Sequence, residues 1–342
     1  MSYPAKIKAV GIYETGGVEV IQNLELPFPE VKPSDLLIKV EWAGVNFIDT
    51  YNRSGLYPAP QFPFPIAREV SGVVLELPSD QSVLESSDFK SRGFKKGGRV
   101  AVALPGSLKE YVAVDWNTTI YAVPDSIPTR IAAAALLQGL TALTQVTESY
   151  NVQKGDTVLV HTVAGGVGLL LAQLAKGRGA TVIGTTSTPE KAALAKAHGA
   201  DHVILYKKED TVERVLELTD GQGANVIYDG VGQATFDDDF KMIKRKGTIV
   251  TFGNASGPVE PVKLFKLTEK NVKLLRPTFN NYLVTLEERN DYSAELWGLV
   301  SSGALRLVIH TEYPFTAEGV RQAHTDLTSG KTTGKLLIKV KD

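Results

Sequence analysis

Two hydrophobic patterns divide the chain. From Lys6 to about Val123 the apolar positions recur mostly at period two. Ala5–Tyr13, Asp35–Trp42, Ile66–Val74, Arg99–Ala103 and Glu110–Val114 each predict a short strand, and Gly and Pro turns separate them. Asn46 to Tyr57 reads as a short helix broken at Gly55. Ser79 to Lys96 is rich in Ser, Asp and Lys and reads as an exposed loop insertion. Many short strands with such turns predict a small barrel-like domain.

Past Thr129 the pattern changes. Thr129 to Ser149 reads as helix. Strands are then predicted at Val158–Val160, Thr181–Thr186, His202–Tyr206, Asn225–Asp229, Thr248–Gly253 and Val272–Leu275. Helices alternate with them at Leu169–Lys176, Pro189–Ala197 and Thr211–Leu218. This alternation predicts an α/β unit with a doubly wound parallel sheet. From Tyr292 a further helix precedes Gly334–Val340, a strand that returns most simply to the first domain. The expected division is residues 1–129 with 290–342 against residues 130–289.

The turn after the Val158–Val160 strand is Gly-rich and opens a helix, as a dinucleotide-binding βαβ unit does. Gly165 would let the backbone approach a pyrophosphate, and Gly168 would let helix and strand pack closely. The amides at Gly165, Gly166 and Val167 would face the phosphates at the positive end of the helix dipole. Val163 stands where the first glycine of the motif belongs, and a bare structural turn is the alternative reading.

An NAD-binding chain carries a carboxylate near the end of the second strand. Here Ser187 holds that place and Lys191 follows one helical turn later. A hydroxyl and an ammonium suit a ribose 2′-phosphate, which a carboxylate would repel. This favours NADPH, although Ser187 as a plain helix cap and Lys191 as a solvated side chain would look the same. Tyr206 is placed to cover the adenine or donate to the phosphate, or is simply a surface residue.

Composition narrows the chemistry. The 342 residues suggest two domains, and 43% hydrophobic with 22% charged residues is ordinary for a globular protein. Lys plus Arg (37) balances Asp plus Glu (38), so no overall field recruits nucleic acid or an anionic membrane. No signal or transit pattern and no span-length apolar run is evident, so the expected location is the cytoplasm. There are no cysteines, which excludes disulfides and thiolate-bound zinc. The five histidines show no metal spacing beyond His198 and His202, which flank a Gly-Ala turn and read as packing or surface residues.

Taken together, Asn46-Phe-Ile-Asp-Thr-Tyr51-Asn-Arg-Ser-Gly-Leu-Tyr57, Ala164-Gly-Gly-Val-Gly-Leu169, Tyr228-Asp-Gly-Val-Gly232 and Phe252-Gly-Asn-Ala-Ser-Gly257 resemble the quinone oxidoreductase (zeta-crystallin-like) branch of the medium-chain dehydrogenase/reductase superfamily, in its fungal form. The resemblance runs over almost the whole chain. It implies a GroES-like β-barrel catalytic domain with an inserted Rossmann domain, a homodimer, and metal-free reduction of quinones by NADPH. Zinc-dependent relatives hold their metal near the places of Asn46, Arg68 and Gln138, and none of these can replace thiolate or imidazole. Gly97-Gly98 and the long Ser79–Lys96 segment depart from the family pattern.

The resemblance further implies that Asn46 and Tyr51 flank the nicotinamide as the catalytic pair, Tyr51 donating to substrate oxygen. Tyr51 as a packing residue against the cofactor stands beside that role. Thr141, Phe252, Gly253, Asn254, Pro277, Thr278 and Phe279 would line the cofactor, and Lys331 would stand near its phosphate in place of an arginine. Two other functions stay open at this point: an NADPH-dependent enoyl-thioester or enone reductase, and an NADPH-binding protein that holds AU-rich RNA.

Overall fold

The computed structural model describes residues 3–341. The chain divides into two compact units, Met1–Leu137 with Leu283–Ser302 and Leu307–Asp342, and Gln138–Tyr282 with Gly303–Arg306.

The first unit begins with β1 (Lys6–Ile12), β2 (Gln22–Pro27), β3 (Asp35–Val45), α1 (Phe47–Ser54), β4 (Phe64–Pro65) and β5 (Glu69–Glu76). The period-two alternation is realised in β1, where Ile7 and Ala9 are sealed while Lys6 and Lys8 face solvent. β3 is buried along most of its length because β5, the Tyr111–Asp115 strand and the C-terminal strand all pair with it. The Ser79–Lys96 segment is more than an exposed loop. It forms α2 (Gln81–Glu85) and α3 (Ser87–Ser91), capped by the Asp80 carboxylate and the Ser86 hydroxyl. Phe89 and Phe94 enter the core, Val83 and Leu84 pack against it and Arg92 is buried, so these residues anchor an otherwise polar stretch. β6 (Arg99–Val102), β7 (Tyr111–Asp115) and β8 (Ile120–Val123) complete this part.

α4 (Thr129–Thr144) carries the chain into the second unit and ends in a π-turn, Gln145–Ser149. There follow β9 (Thr157–Val160), α5 (Gly166–Gly177), β10 (Thr181–Thr186), α6 (Pro189–Ala197), β11 (His202–Leu205), α7 (Thr211–Leu218), β12 (Ala224–Asp229), α8 (Phe236–Met242), β13 (Ile243–Thr251) and β14 (Lys273–Leu275). All pairings are parallel, in the order β11-β10-β9-β12-β13-β14. The connection reverses direction at β9, between β10 and β12, which is where the carboxyl ends of such sheets open a ligand crevice.

The last segment returns to the first unit as α9 (Leu286–Ser301), β15 (Ile309–Pro314), α10 (Ala317–Thr328) and β16 (Lys335–Lys339). β16 lies between β15, to which it is parallel, and β3, to which it is antiparallel. The first unit thus holds a seven-stranded sheet and a three-stranded one, β2-β1-β4. Among the described residues no helix is long and apolar enough to cross a membrane.

Candidate cofactor and substrate site

In the second unit, β9 leads through His161 and Thr162 into the Gly-rich turn, and Thr162 adopts a positive φ of 52°. The Val163 N–H donates to the Thr185 carbonyl at 3.0 Å. A Cβ on Gly184 of β10 would stand 2.4 Å from Val163 Cγ1. The side chain at the missing first glycine is therefore housed by a glycine in the neighbouring strand.

Helix α5 starts at Gly166, three residues before the apolar pattern begins, with Gly165 as its N-cap. Gly165 has no side chain to cap with, so the first-turn amides of Gly166 and Val167 remain available to an anion at the positive end of the dipole. Gly168 serves the turn rather than the strand: a Cβ there would lie 2.5 Å from the Thr162 carbonyl oxygen and 2.8 Å from Val163 Cα. This cradle fits a pyrophosphate.

Beneath the turn His161 Nε2 lies 2.8 Å from Asp239 Oδ1 and Nδ1 lies 3.2 Å from Thr185 Oγ1, all buried. Burial pushes the Asp239 carboxyl up to about 6 against the pull of His161. Burial also disfavours the His161 cation, and Asp239 more than offsets it, so the imidazole sits above its ordinary value. His161 is thus a packing histidine under the turn.

At the end of β10, the Thr188 hydroxyl rather than Ser187 caps α6, accepting from the Lys191 N–H at 3.4 Å. Ser187 is released from that duty and stands half-buried. The Lys191 ammonium is pulled below its ordinary value first by burial and then by Lys207. Glu190 is turned toward its own backbone N–H and the Thr188 hydroxyl, which hold its carboxyl below the usual range. The Tyr206 N–H donates to the Thr186 carbonyl at 3.1 Å, and its ring is exposed. Adjacent strand ends therefore bring Ser187, Lys191, Tyr206 and Lys207 to one edge of the sheet.

Phe252, Gly253 and Asn254 leave β13, and Pro277, Thr278 and Phe279 leave β14 beside it. Gly253 is required by close approach, since a Cβ would stand 2.2 Å from the Gly230 carbonyl oxygen. Phe279 is buried and Thr278 exposed. Arg276, which sequence reading passed over, ties the two segments: it donates to Thr251 Oγ1 at 3.2 Å, to the Gly253 carbonyl at 3.0 Å and to Asn254 Oδ1 at 3.0 Å. Thr141 lies half-buried on α4.

In the first unit Asn46 precedes α1, and its backbone N–H donates to Asp49 Oδ2 at 2.8 Å. Its side-chain amide donates to the Gly44 carbonyl and to Glu69 Oε2, both at 3.1 Å, and accepts from Lys335 Nζ at 2.7 Å. Lys335 Nζ also meets Glu69 Oε2 at 2.5 Å, and the Leu137 N–H donates to Glu69 Oε1 at 2.6 Å. Gly44 makes room, because a Cβ there would be 2.3 Å from Glu69 Oε2. Burial pushes the Asp49 carboxyl up to about 7 against the Asn46 N–H. Tyr51, one half-turn further along α1, is buried with its ring 6.3 Å from Phe47 and 5.3 Å from Tyr57, centroid to centroid. Lys331 is exposed in the turn after α10, its N–H donating to Ser329 Oγ at 3.1 Å.

The polar set around Asn46 does not fit a zinc ion. The cation there is the Lys335 ammonium, held by Glu69 and Asn46, and the neighbouring Arg68 is a second positive charge. Among the described residues no group of three or more His, Cys, Asp or Glu side chains could hold a metal. Glu69 and Lys335 were not singled out from sequence; the one available signal was a glutamate inside the apolar Ile66–Val74 strand.

Comparison with known proteins gives two family matches, an alcohol dehydrogenase GroES-like domain over residues 32–125 and a zinc-binding dehydrogenase domain over residues 166–302. The chain is 40% identical to a quinone oxidoreductase of Pseudomonas aeruginosa over 94% of its own length and 96% of the relative's. It is 38% identical to a probable quinone oxidoreductase of Schizosaccharomyces pombe, over 96% of each chain, so bacterial and fungal relatives are about equally similar. Among solved structures, the Escherichia coli quinone oxidoreductase complexed with NADPH superposes with a TM-score of 0.89 at 33% identity, covering 97% of this chain and 100% of that one.

Proposed function

The chain belongs to the quinone oxidoreductase branch of the medium-chain dehydrogenase/reductase family, and from that premise we propose that it reduces quinones with NADPH and uses no zinc. The observation that carries the cofactor is the pairing of an uncapped α5 N-terminus with Ser187 and Lys191 where NAD-binding chains hold a carboxylate. When bound, NADPH supplies a hydride from its nicotinamide. The amides of Gly166 and Val167 receive the pyrophosphate beside Gly165. Ser187, Lys191 and Tyr206 receive the 2′-phosphate and adenine, with Lys331 a further cation toward the phosphate. Phe252, Gly253, Asn254, Pro277, Thr278 and Phe279 line the nicotinamide end, and Thr141 contacts it from α4.

Asn46 and Tyr51 serve the substrate side. Asn46 spends both amide hydrogens inside the protein, so its part is to present a fixed oxygen and a rigid entry to α1. Tyr51 is the donor to substrate oxygen. A quinone spreads the incoming negative charge over its ring and both oxygens, so positioning suffices where a simple ketone would need a Lewis acid. Water can supply the protons.

The test is a steady-state comparison of 1,2- and 1,4-quinones with 2-enoyl thioesters, using NADPH and NADH in turn. Preference for quinones and NADPH is expected; turnover confined to enoyl thioesters would transfer the chain to the enone reductases. We also propose a cytoplasmic homodimer. Strand β14 ends the parallel sheet with one side unpaired, and Leu264 and Phe265 stand 78% and 84% exposed nearby in sequence. Sedimentation velocity should give twice the chain mass, and cell fractionation should place the protein in the soluble cytoplasmic fraction.

A further inference from the structure

In the first unit the backbone around Arg68 is held on both sides. The Ile66 N–H donates to the Val10 carbonyl at 3.0 Å, and the Ala67 carbonyl accepts from the Ser107 N–H and hydroxyl, both at 3.2 Å. Glu69 follows, with its side chain sealed and tied to Asn46, Leu137 and Lys335. Glu69 also pairs with Gly44 near the end of β3. This antiparallel register, carried one residue on, sets Arg68 beside Val45, immediately before Asn46 and the start of α1. Arg68 thus stands on a fixed base next to the residues that serve the substrate side.

Its side chain is not spoken for. Arg68 is partly buried, and among the described residues its guanidinium has no hydrogen bond and no carboxylate within ion-pair distance. Its nitrogens are not sealed from solvent. Burial lowers the guanidinium from its ordinary value, and Asp49 in α1 pulls the other way. That acid is a weak counter-charge, since burial pushes its carboxyl up to about 7. The other charges that act on Asp49, Lys335 and Glu69, are paired with each other at 2.5 Å. A surplus positive charge therefore remains where α1 begins. A partly desolvated guanidinium of this kind attracts an oxyanion and can offer it two parallel N–H bonds.

We propose that Arg68 is a further catalytic residue, whose guanidinium meets the quinone oxygen on which negative charge collects as the hydride arrives. The proposal rests on the quinone-reductase reading above and extends it from positioning to charge stabilisation. In the reaction the C4–H bond of the dihydronicotinamide breaks and its electron pair passes with the hydrogen to the quinone. NADPH is oxidised to NADP⁺, and the quinone is reduced to the hydroquinone monoanion, which water then protonates. Arg68 acts between those two events, because its charge is in place before the oxyanion forms and needs no reorganisation. Lys335 cannot do this, since Glu69 and Asn46 close it off. An alkyl-substituted quinone, whose monoanion is more basic, depends most on the cation.

The experiment compares wild type, Arg68→Met and Arg68→Lys in single turnovers with NADPH and 1,4-quinones ranging from unsubstituted to fully alkylated. Arg68→Met should lose roughly tenfold to a hundredfold in rate, most with the alkylated quinones, and Arg68→Lys should recover part of it. NADPH affinity, read by fluorescence titration, should be unchanged. A second measurement needs no turnover: titration with 4-nitrophenolate, an aryl oxyanion like the product, against uncharged 4-nitroanisole. Arg68→Met should bind the phenolate roughly tenfold more weakly and the anisole as before. Wild-type rates in Arg68→Met, or an equal loss with every quinone and both aryl probes, would overturn the proposal. A wild type that turns over no quinone would strike the reading beneath it, and this role with it.

Discussion

Lys335 Nζ and Glu69 Oε2 meet at 2.5 Å with both side chains sealed from solvent, and the pair fixes the orientation of the Asn46 amide, which accepts a hydrogen bond from Lys335 and donates one to Glu69. Removing the ammonium leaves Glu69 without its cation in a dry site. Lys335→Met should therefore cost about 3–5 kcal/mol of unfolding free energy. Urea unfolding checks this through the midpoint at unchanged slope. A loss below about 1 kcal/mol would mean that the pair is not closed in solution.

The Asp49 carboxyl, raised by burial to about 7, makes a pH prediction. An unfolded aspartate ionises near about 3.9. Between about pH 4 and 7 the folded chain thus holds a proton that the unfolded chain has released, so stability falls as pH rises across that window. Asp49→Asn should flatten this slope and leave the variant relatively more stable at pH 8 than at pH 5. Thermal melts of both proteins at the two pH values decide it; parallel slopes would place the titration elsewhere.

Lys191→Ala should raise the NADPH dissociation constant roughly tenfold or more while leaving that for NADH nearly unchanged, because only the 2′-phosphate gains from the ammonium. Fluorescence titration with both cofactors measures the ratio. Equal effects on the two would refute the phosphate role.

Tyr51→Phe keeps the ring contacts with Phe47 and Tyr57 and removes only the hydroxyl. A drop in kcat with NADPH affinity preserved is expected from single-turnover and binding measurements. Unchanged turnover would leave Tyr51 as a packing residue.

Much of the architecture was legible because it is local. The period-two and strand–helix patterns located the sheets, and the helix that breaks at Gly55 is α1, whose C-cap adopts a left-handed φ of 84°. What escaped was long-range or depended on single anchors. Glu69 and Lys335 are 266 residues apart and look like ordinary strand residues until β16 and β5 both flank β3. In Ser79–Lys96 the polar majority concealed the buried Phe89, Arg92 and Phe94, and Asp80 and Ser86 act there as the caps of two short helices. Ser187 and Thr188 are adjacent hydroxyls, and only the backbone path at the start of α6 shows that the second one caps. Val163 read as a defect in the glycine motif, whereas its companion Gly184 sits 21 positions later in another strand.

The place of β16 bears on how the chain is made. Lys335–Lys339 is the last strand in the sequence, yet it occupies an interior position between β15 and β3. During synthesis from the N-terminus, β3 waits for its neighbour until nearly 290 further residues have emerged, as the gap from Asn46 to Lys335 shows. The Rossmann unit has all six strands by Leu275 and its last segment, Gly303–Arg306, before β16 begins. Nascent chains stalled before Gly334 should accordingly protect the Rossmann unit from protease while the barrel remains digestible; protection of both would show that the barrel closes without its final strand.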